Sequence, residues 1–237
     1  MKLYTVATPI GNLEDMTFRA VRILGEVDVI ACEDTRHSRT LLDHYQINKK
    51  LIACHSYNEE ESSKGILNLL DQGLNVAYLS DAGTPGISDP GSRLCEYVRN
   101  NSDHEIVPIP GPSALITLLQ CAGNIGKSFT FEGFLSPKKG RREKRLTELV
   151  ERKDAFIIYE SPFRILKVLE ELSAMEKVKK LVIGRELTKI HEEILVDAPQ
   201  NILARFKAKD AVKGEFVVIV CPENESDKHQ EDQEPEA

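Results

Sequence analysis

The chain has 237 residues, of which 41% are hydrophobic and 29% charged, and its formal net charge is −7. This length suits one large domain or two of roughly 100–120 residues. No stretch approaches the roughly 20 consecutive apolar residues of a membrane span, and the apolar run near Met1 is too short for a signal peptide. The five cysteines are far apart and form no CxxC pair. The sequence therefore indicates neither a zinc site nor a disulfide framework, and it favours a cytoplasmic protein with reduced thiols.

The charge is distributed unevenly. Residues 223–237 carry seven acids against one lysine, a net charge of −6, which leaves −1 for the rest of the chain. Because this acidic tail has no apolar periodicity, we predict that it is disordered. In contrast, residues 138–145 (KKGRREKR) place six cations in eight residues. Such a cluster is typical of a phosphate-binding surface, and the alternative is a solvated helix face.

Strand-like and helix-like segments alternate along the first half of the chain. The predicted elements are, in order, strand 3–7, helix 18–24, strand 27–31, helix 38–45, strand 51–54, helix 59–72, strand 76–79, helix 90–99, strand 106–109 and helix 112–121. This alternation predicts a parallel or mostly parallel sheet covered by helices.

A polar segment rich in glycine, asparagine, lysine and serine, residues 123–128, predicts a domain boundary. Beyond it we predict strands at 129–134, 156–159, 181–183, 193–196 and 215–220, with helices at 141–152, 163–175 and 199–206. The economical architecture is two α/β domains, at 1–122 and 123–222, with a cleft between them and the tail 223–237 after them.

The most informative stretch is residues 81–91 (DAGTPGISDPG), which follow the predicted strand 76–79. Open α/β sheets bind ligands just outside the carboxyl ends of their strands. Three glycines and two prolines predict a tight, preshaped loop that lets backbone approach a ligand. The loop has two carboxylates and lacks the lysine of a GxxxxGK[ST] phosphate cradle. It therefore predicts a polar, uncharged or cationic small molecule as ligand, with Asp89 as a helix cap.

Nine ordered blocks carry a family resemblance. They are TPIGN (8–12), EDTR (33–36), HSYNE (55–59), SDAGTPGISDPG (80–91), PGPSA (110–114), EGFL (132–135), YESPFR (159–164), RELTK (185–189) and KGEF (213–216). From Lys2 to about Val220, the chain resembles the ribosomal RNA small subunit methyltransferase I family of the tetrapyrrole-methylase superfamily. Many members of that family continue into a small helical extension beyond this point.

The resemblance implies a two-domain, tetrapyrrole-methylase-like (class III) α/β fold that binds S-adenosylmethionine in the cleft between its domains. It also implies a homodimer that methylates the ribose 2′-hydroxyl of a cytidine in the decoding region of 16S rRNA, within the small ribosomal subunit. No membrane partner and no metal are implied. Two alternatives stay open: a tetrapyrrole or diphthine-type methylase on the same fold, and a non-catalytic RNA-binding assembly factor.

The resemblance also assigns site residues. The implied cofactor contacts are Pro9, Ile10, Asp81, Gly83, Thr84, Ser113 and Ala114 from the first domain and Tyr159 and Gly214 from the second. The basic cluster supplies candidate phosphate contacts at Lys138, Lys139, Arg141, Arg142, Lys144 and Arg145. Phosphate contacts of this kind position an RNA without reading its sequence.

The reaction requires an acid–base group. The attacking hydroxyl must lose its proton, so a base or a polarising cation is expected within hydrogen-bond reach. The candidates are Glu33, Asp34 and Arg36, with Arg185 and Glu186 as their counterparts in the second domain. The alternative for Asp34 and Arg36 is a structural ion pair, and the sequence does not separate base from scaffold.

Overall fold

The computed structural model describes residues 1–54, 59–89, 91–209 and 211–223. The chain divides into two compact units, Met1–Ala114 and Leu115–Ala237, whereas the sequence places the boundary at residue 123. Most of the HSYNE block (55–58), Pro90 and the acidic tail from residue 224 lie outside the described residues, so the predictions made for them remain predictions.

The first unit is built on a five-stranded parallel sheet. Its strands are β1 (Lys2–Val6), β2 (Val29–Cys32), β3 (Lys50–Ala53), β4 (Val76–Leu79) and β5 (Glu105–Ile109). Their order is β3-β2-β4-β1-β5, and every neighbouring pair is parallel. The parallel sheet predicted from the alternation is therefore confirmed. Because all five strands run in one direction, the loops after them meet at one edge of the sheet.

Helices cover both faces of this sheet. They are α1 (Phe18–Glu26), α2 (Thr35–His44), α3 (Glu59–Asp71) and α4 (Gly91–Asn101). Leu24 of α1 and Leu42 of α2 pack against one face, and Leu70 of α3 and Leu94 of α4 pack against the other. Every residue of the central strands β2 and β4 is consequently buried. Such continuous burial is typical of parallel strands that have helices on both sides.

The second unit has a mixed sheet. Its elements are α5 (Ala114–Leu119, which begins at the last residue of the first unit), β6 (Phe129–Phe134), α6 (Lys139–Glu151), β7 (Ala155–Glu160), α7 (Ile165–Ser173), β8 (Val178–Arg185), β9 (Glu193–Asp197), α8 (Pro199–Lys207) and β10 (Phe216–Pro222). The strand order is β6-β7-β10-β8-β9, with only β6 and β7 parallel in this sheet. Residues of α6, α7 and α8 pack on one face of the sheet and form a single core.

All the helices and strands predicted from the sequence are present, with ends that differ by a few residues. None of the helices in the described ranges is long and apolar enough to span a bilayer.

Candidate functional site

Three loops are joined at the carboxyl edge of the parallel sheet. Thr8, after β1, and Gly83, after β4, exchange backbone hydrogen bonds. The distance is 2.9 Å from the Thr8 nitrogen to the Gly83 oxygen and 3.1 Å from the Gly83 nitrogen to the Thr8 oxygen. The Thr84 hydroxyl donates to the carbonyl of Pro112, after β5, at 2.8 Å. These bonds hold the predicted cofactor residues Pro9, Ile10, Gly83, Thr84 and Ser113 on one preformed surface. The loops therefore meet at this edge, as the common direction of the strands requires.

Glycine is required where these loops touch. Gly83 has a φ of +81°, and a Cβ at this position would lie 3.4 Å from Cγ2 of Ile10. A Cβ on Gly111 would lie 2.9 Å from that of Ala7. Backbone therefore passes close to backbone, and the surface keeps a shape that side chains would fill.

A buried hydroxyl lies on the same surface. Ser113 is 6% exposed, and its Oγ has no hydrogen-bond partner among the described residues. Ala114, the next residue, is partly buried and begins α5. Because a buried polar group without a partner is costly, Ser113 has an unmet capacity to bind a polar ligand group.

Three carboxylates are linked where β2 and β4 end. The Asp34 N–H donates to Oδ1 of Asp81 at 3.1 Å, and the Asp81 N–H donates to Oε1 of Glu33 at 3.4 Å. Asp34 also caps α2 by accepting from the Arg36 N–H at 2.8 Å. That backbone hydrogen bond is the main cause that lowers the pKa of Asp34. Asp34 is therefore a helix cap, with the Arg36 guanidinium 3.6 Å from its Oδ2.

The pKa of Glu33 is shifted in the opposite direction to that of Asp34. Burial raises the pKa of Glu33, and the negative charges of Asp81 and Asp89 raise it further. Asp89 is fixed beside them by accepting from the Gly86 and Gly91 N–H groups at 2.8 and 2.7 Å. This confirms its predicted capping role. Of the carboxylates at this edge, Glu33 has the environment expected for a proton acceptor.

Arg185 and Glu186 of the second unit hold a turn together. Arg185 Nε donates to the carbonyl of Lys213 at 2.7 Å, and its Nη1 donates to Glu193 Oε2 at 2.9 Å. Glu186 Oε1 accepts from the Glu215 N–H and from Lys189 Nζ, both at 2.9 Å. Burial raises the pKa of Glu186, but these donors outweigh it and lower the pKa overall. The geometry favours a structural role for both residues, and their catalytic role stays a prediction.

The other two predicted cofactor residues of this unit are also held in place. The Tyr159 hydroxyl accepts from the Leu115 N–H at 3.2 Å, and its ring packs edge-on against Phe131 with centroids 5.0 Å apart. Gly214 has a φ of +99°, and a Cβ there would lie 2.9 Å from Cδ of Glu186. Gly214 therefore provides the space that the Glu186 side chain occupies.

The basic cluster divides into two kinds of residue. Arg142 is 5% exposed and forms a bidentate pair with Glu171 at 2.7 and 2.6 Å. Arg145 is 33% exposed and pairs in the same way with Glu132, at 2.8 and 2.7 Å. The exposed residues of the cluster are Lys138, Lys139, Arg141 and Lys144. The prediction that Arg142 contacts RNA phosphate is therefore wrong, because its guanidinium is buried and bound within the protein.

Comparison with known proteins identifies the family. The model of the tetrapyrrole (corrin/porphyrin) methylases matches residues 2–201. A ribosomal RNA small subunit methyltransferase I from Borrelia garinii subsp. bavariensis is 46% identical over 219 residues, which are 92% of this chain and 97% of the relative. The chain belongs to the ribosomal RNA small subunit methyltransferase I family of tetrapyrrole methylases. The Bacillus subtilis member is 38% identical over 98% of this chain and 78% of its own.

Solved structures agree with this fold. The methyltransferase CobJ superposes with a TM-score of 0.68 at 21% identity and 93% coverage of both chains. A uroporphyrin-III-C-methyltransferase from Thermus thermophilus gives a TM-score of 0.62 at 16% identity, over 93% of this chain and 94% of that one. At these identities the likeness shows the fold of this methyltransferase.

One sequence signal could have identified the buried arginine of this methyltransferase. Arg142 lies at helical spacing from Leu146, Leu149 and Val150, the buried residues of α6. This i, i+4, i+7, i+8 pattern places it on the apolar face of the helix. Its partner Glu171 is 29 residues away, and no local pattern identifies that pairing.

Proposed function

We propose that this methyltransferase uses S-adenosylmethionine to methylate the ribose 2′-hydroxyl of a cytidine in 16S rRNA. The observation that carries the rRNA substrate is the 46% identity to a protein named ribosomal RNA small subunit methyltransferase I, over nearly the whole of both chains. The site supports the cofactor class and favours Glu33 as the proton acceptor.

The described residues fit S-adenosylmethionine. This molecule carries a sulfonium, an ammonium and a carboxylate but no phosphate, and the loop at 81–89 offers carboxylates without a phosphate-cradle lysine. The Asp81 carboxylate lies at the exposed edge of the sheet, and the buried Ser113 hydroxyl is available to a polar group. Pro9, Ile10, Gly83, Thr84 and Ala114 would line the same surface. Tyr159 and Gly214 are proposed contacts that rest on the family resemblance.

The bound cofactor would supply an electrophilic methyl group on its sulfonium. The protein must then orient the attacking ribose, and much of the acceleration comes from that positioning. We assign proton acceptance to Glu33, since its raised pKa matches a base better than the lowered pKa of Asp34. Arg36, whose side chain is 92% exposed, extends from the same strand end and would hold the incoming nucleotide.

The RNA would be held by the exposed cations of α6 and the residue before it. Lys138, Lys139, Arg141 and Lys144 are exposed, and contacts from such residues to phosphates position a nucleic acid. The target ribose would be splayed from its helix to reach the methyl group. We further propose that the protein acts in the cytoplasm as a homodimer on rRNA within the small ribosomal subunit.

Transfer of a labelled methyl group tests the proposal. The protein is incubated with radiolabelled S-adenosylmethionine and either unmethylated small ribosomal subunits or free 16S rRNA, with large subunits as the matched control. We expect label at one cytidine of the small-subunit rRNA. The adjoining phosphodiester should resist alkaline hydrolysis, because a 2′-O-methyl group removes the nucleophile for strand cleavage. Label on a base, or equal label in large subunits, would contradict the proposed reaction.

A further inference from the structure

Phe163, within the YESPFR block, is 90% exposed to solvent. An isolated exposed apolar side chain needs no explanation. Phe163, however, lies between β7 and α7 in a segment whose Arg164 donates to the carbonyl of Leu135, directly after β6. Phe134, the last residue of β6, is 58% exposed.

The segment that carries Phe163 is fixed on both sides. Arg164 Nη2 donates to the Leu135 carbonyl at 2.7 Å and lies 3.2 Å from the buried Glu160 carboxylate. The Ser161 N–H donates to Oε1 of the same Glu160 at 2.8 Å. Because the backbone of this segment is already ordered, presenting Phe163 to a partner costs little further backbone entropy, which favours a role in recognition.

Two exposed cations lie near the residues that Arg164 contacts. Arg164 Nη2 also approaches the Ser136 carbonyl at 3.3 Å, and the Ser136 hydroxyl accepts from the Lys138 N–H at 3.3 Å. Lys138, which directly precedes α6, and Arg141, in its first turn, therefore follow closely on the residues to which Arg164 is bound. Within the described ranges, neither of these two cations has a carboxylate at ion-pair distance, whereas Arg145 is paired with Glu132.

We infer that Phe163 is a stacking platform for an unpaired base of the RNA substrate, with Lys138 and Arg141 binding the flanking phosphates. Single-stranded nucleic acids are bound by this combination of an aromatic face and adjacent cations. Charge complementarity favours RNA over a protein partner as the occupant of this surface. The inference rests on the proposed function, since it identifies how the same substrate is held.

The test compares variants of Phe163 with a matched control. Phe163→Ala and Phe163→Leu remove the ring, Phe163→Tyr keeps it, and Phe18→Ala removes a 97% exposed phenylalanine of α1. The Kd for a labelled single-stranded RNA oligonucleotide is measured by fluorescence anisotropy, together with kcat and KM on small ribosomal subunits. We expect the first two variants to raise Kd and KM at least about fivefold, which corresponds to about 1 kcal/mol of stacking. Phe163→Tyr and Phe18→Ala should stay close to the parent protein.

Salt dependence separates stacking from phosphate binding. Phe163→Ala should leave the slope of log Kd against log salt unchanged, while the double variant Lys138→Ala with Arg141→Ala should reduce it by about 1–2. An unchanged Kd in Phe163→Ala would overturn the inference, as would full activity in Phe163→Leu. A shift from dimer to monomer in Phe163→Ala, seen by sedimentation, would instead assign the residue to a protein interface.

The two proposals fail in distinguishable ways. If the parent protein methylates 16S rRNA and Phe163→Ala has the same KM, only the stacking inference fails. If the parent protein binds RNA through Phe163 but transfers no methyl group to rRNA, only the proposed function fails.

Discussion

Arg142 and Glu171 form a bidentate ion pair, with 2.7 Å from Nε to Oε2 and 2.6 Å from Nη2 to Oε1, and their side chains are 5% and 10% exposed. The pair joins α6 to α7. The remaining Nη1 is directed at the carbonyls of Ser136 and Pro137. The Glu171 carboxylate is the main cause that raises the pKa of Arg142. Arg142, from the most basic stretch of the chain, thus stabilises the packing of two helices in the second unit.

Breaking this pair should destabilise the protein. Arg142→Ala leaves the Glu171 charge buried without a partner, and we expect it to lower the free energy of unfolding by about 3–5 kcal/mol. Urea unfolding measures the change. Arg141→Ala, one residue earlier and exposed, is the matched control and should stay within about 0.5 kcal/mol. The double variant Arg142→Met with Glu171→Leu should recover much of the loss, and a double variant no more stable than Arg142→Ala would contradict the electrostatic explanation.

Replacing Gly214 should disrupt the turn at Glu186. Gly214→Ala combines a positive φ with a Cβ that would lie 2.9 Å from Cδ and 3.0 Å from Oε1 of Glu186. Gly126 has nearly the same φ, +98°, and a Cβ there would meet no described atom within 4 Å. We expect Gly126→Ala to cost about 1–3 kcal/mol from backbone strain alone, and Gly214→Ala to cost more. Equal losses of unfolding free energy would show that Glu186 moves aside freely.

We expect the Ser113 hydroxyl to contribute to ligand binding but not to the stability of the fold. Ser113→Ala removes a buried hydroxyl that has no partner among the described residues, so the unfolding free energy without ligand should be unchanged or higher. Calorimetry should show a Kd for S-adenosylmethionine raised by up to about tenfold, the value of one hydrogen bond of about 1.4 kcal/mol. Ser80→Ala is the control, because the Ser80 hydroxyl donates to the Gly83 carbonyl at 3.3 Å and its loss should cost stability. An unchanged Kd in Ser113→Ala would remove this residue from the site.

We expect the ionisation of Glu33 to lower the free energy of unfolding as pH rises. Its pKa is raised on folding, chiefly by burial, so the folded protein holds the proton more tightly than the unfolded chain. Stability is therefore lost as pH rises from the unfolded pKa of about 4.3 through the folded pKa. Glu33→Gln keeps an oxygen that accepts the hydrogen bond from the Asp81 N–H. Because glutamine does not ionise, the variant should not lose stability in this pH range. We expect the variant to be more stable than the parent at neutral pH while losing methylation, because Gln accepts no proton.

Asp34→Asn is the contrasting control for Glu33. The pKa of Asp34 is lowered by its backbone hydrogen bond from Arg36, so its contribution is present above the unfolded pKa and lost as pH falls through the folded pKa. Asparagine is also a good helix cap. Urea unfolding of each variant beside the parent should show opposite slopes for the two residues, above about pH 4.3 for Glu33 and below about pH 3.9 for Asp34. Parallel slopes would refute the assignment of Glu33 as the base.

Much of this architecture can be predicted from the sequence. The alternation of buried strands and amphipathic helices predicts every strand and α-helix of the first unit, and the parallel order places Thr8, Gly83 and Pro112 at one edge. The direction of the strands in the second unit was not predicted. There, β8 and β9 are joined by a short turn over 186–192 and run antiparallel, a connection that local patterns leave open.

The sequence by itself determined the helices and strands, the loops that collect at the sheet edge and the family resemblance, because these depend on local periodicity and on ordered motifs. Only the tertiary structure decided which cations of residues 138–145 are available to a partner. Arg142 and Arg145 are held by Glu171 and Glu132, which lie 29 and 13 residues away. Pairings of this kind arise when packed elements bring distant side chains together, and charge counted along the chain does not distinguish a paired arginine from an exposed one.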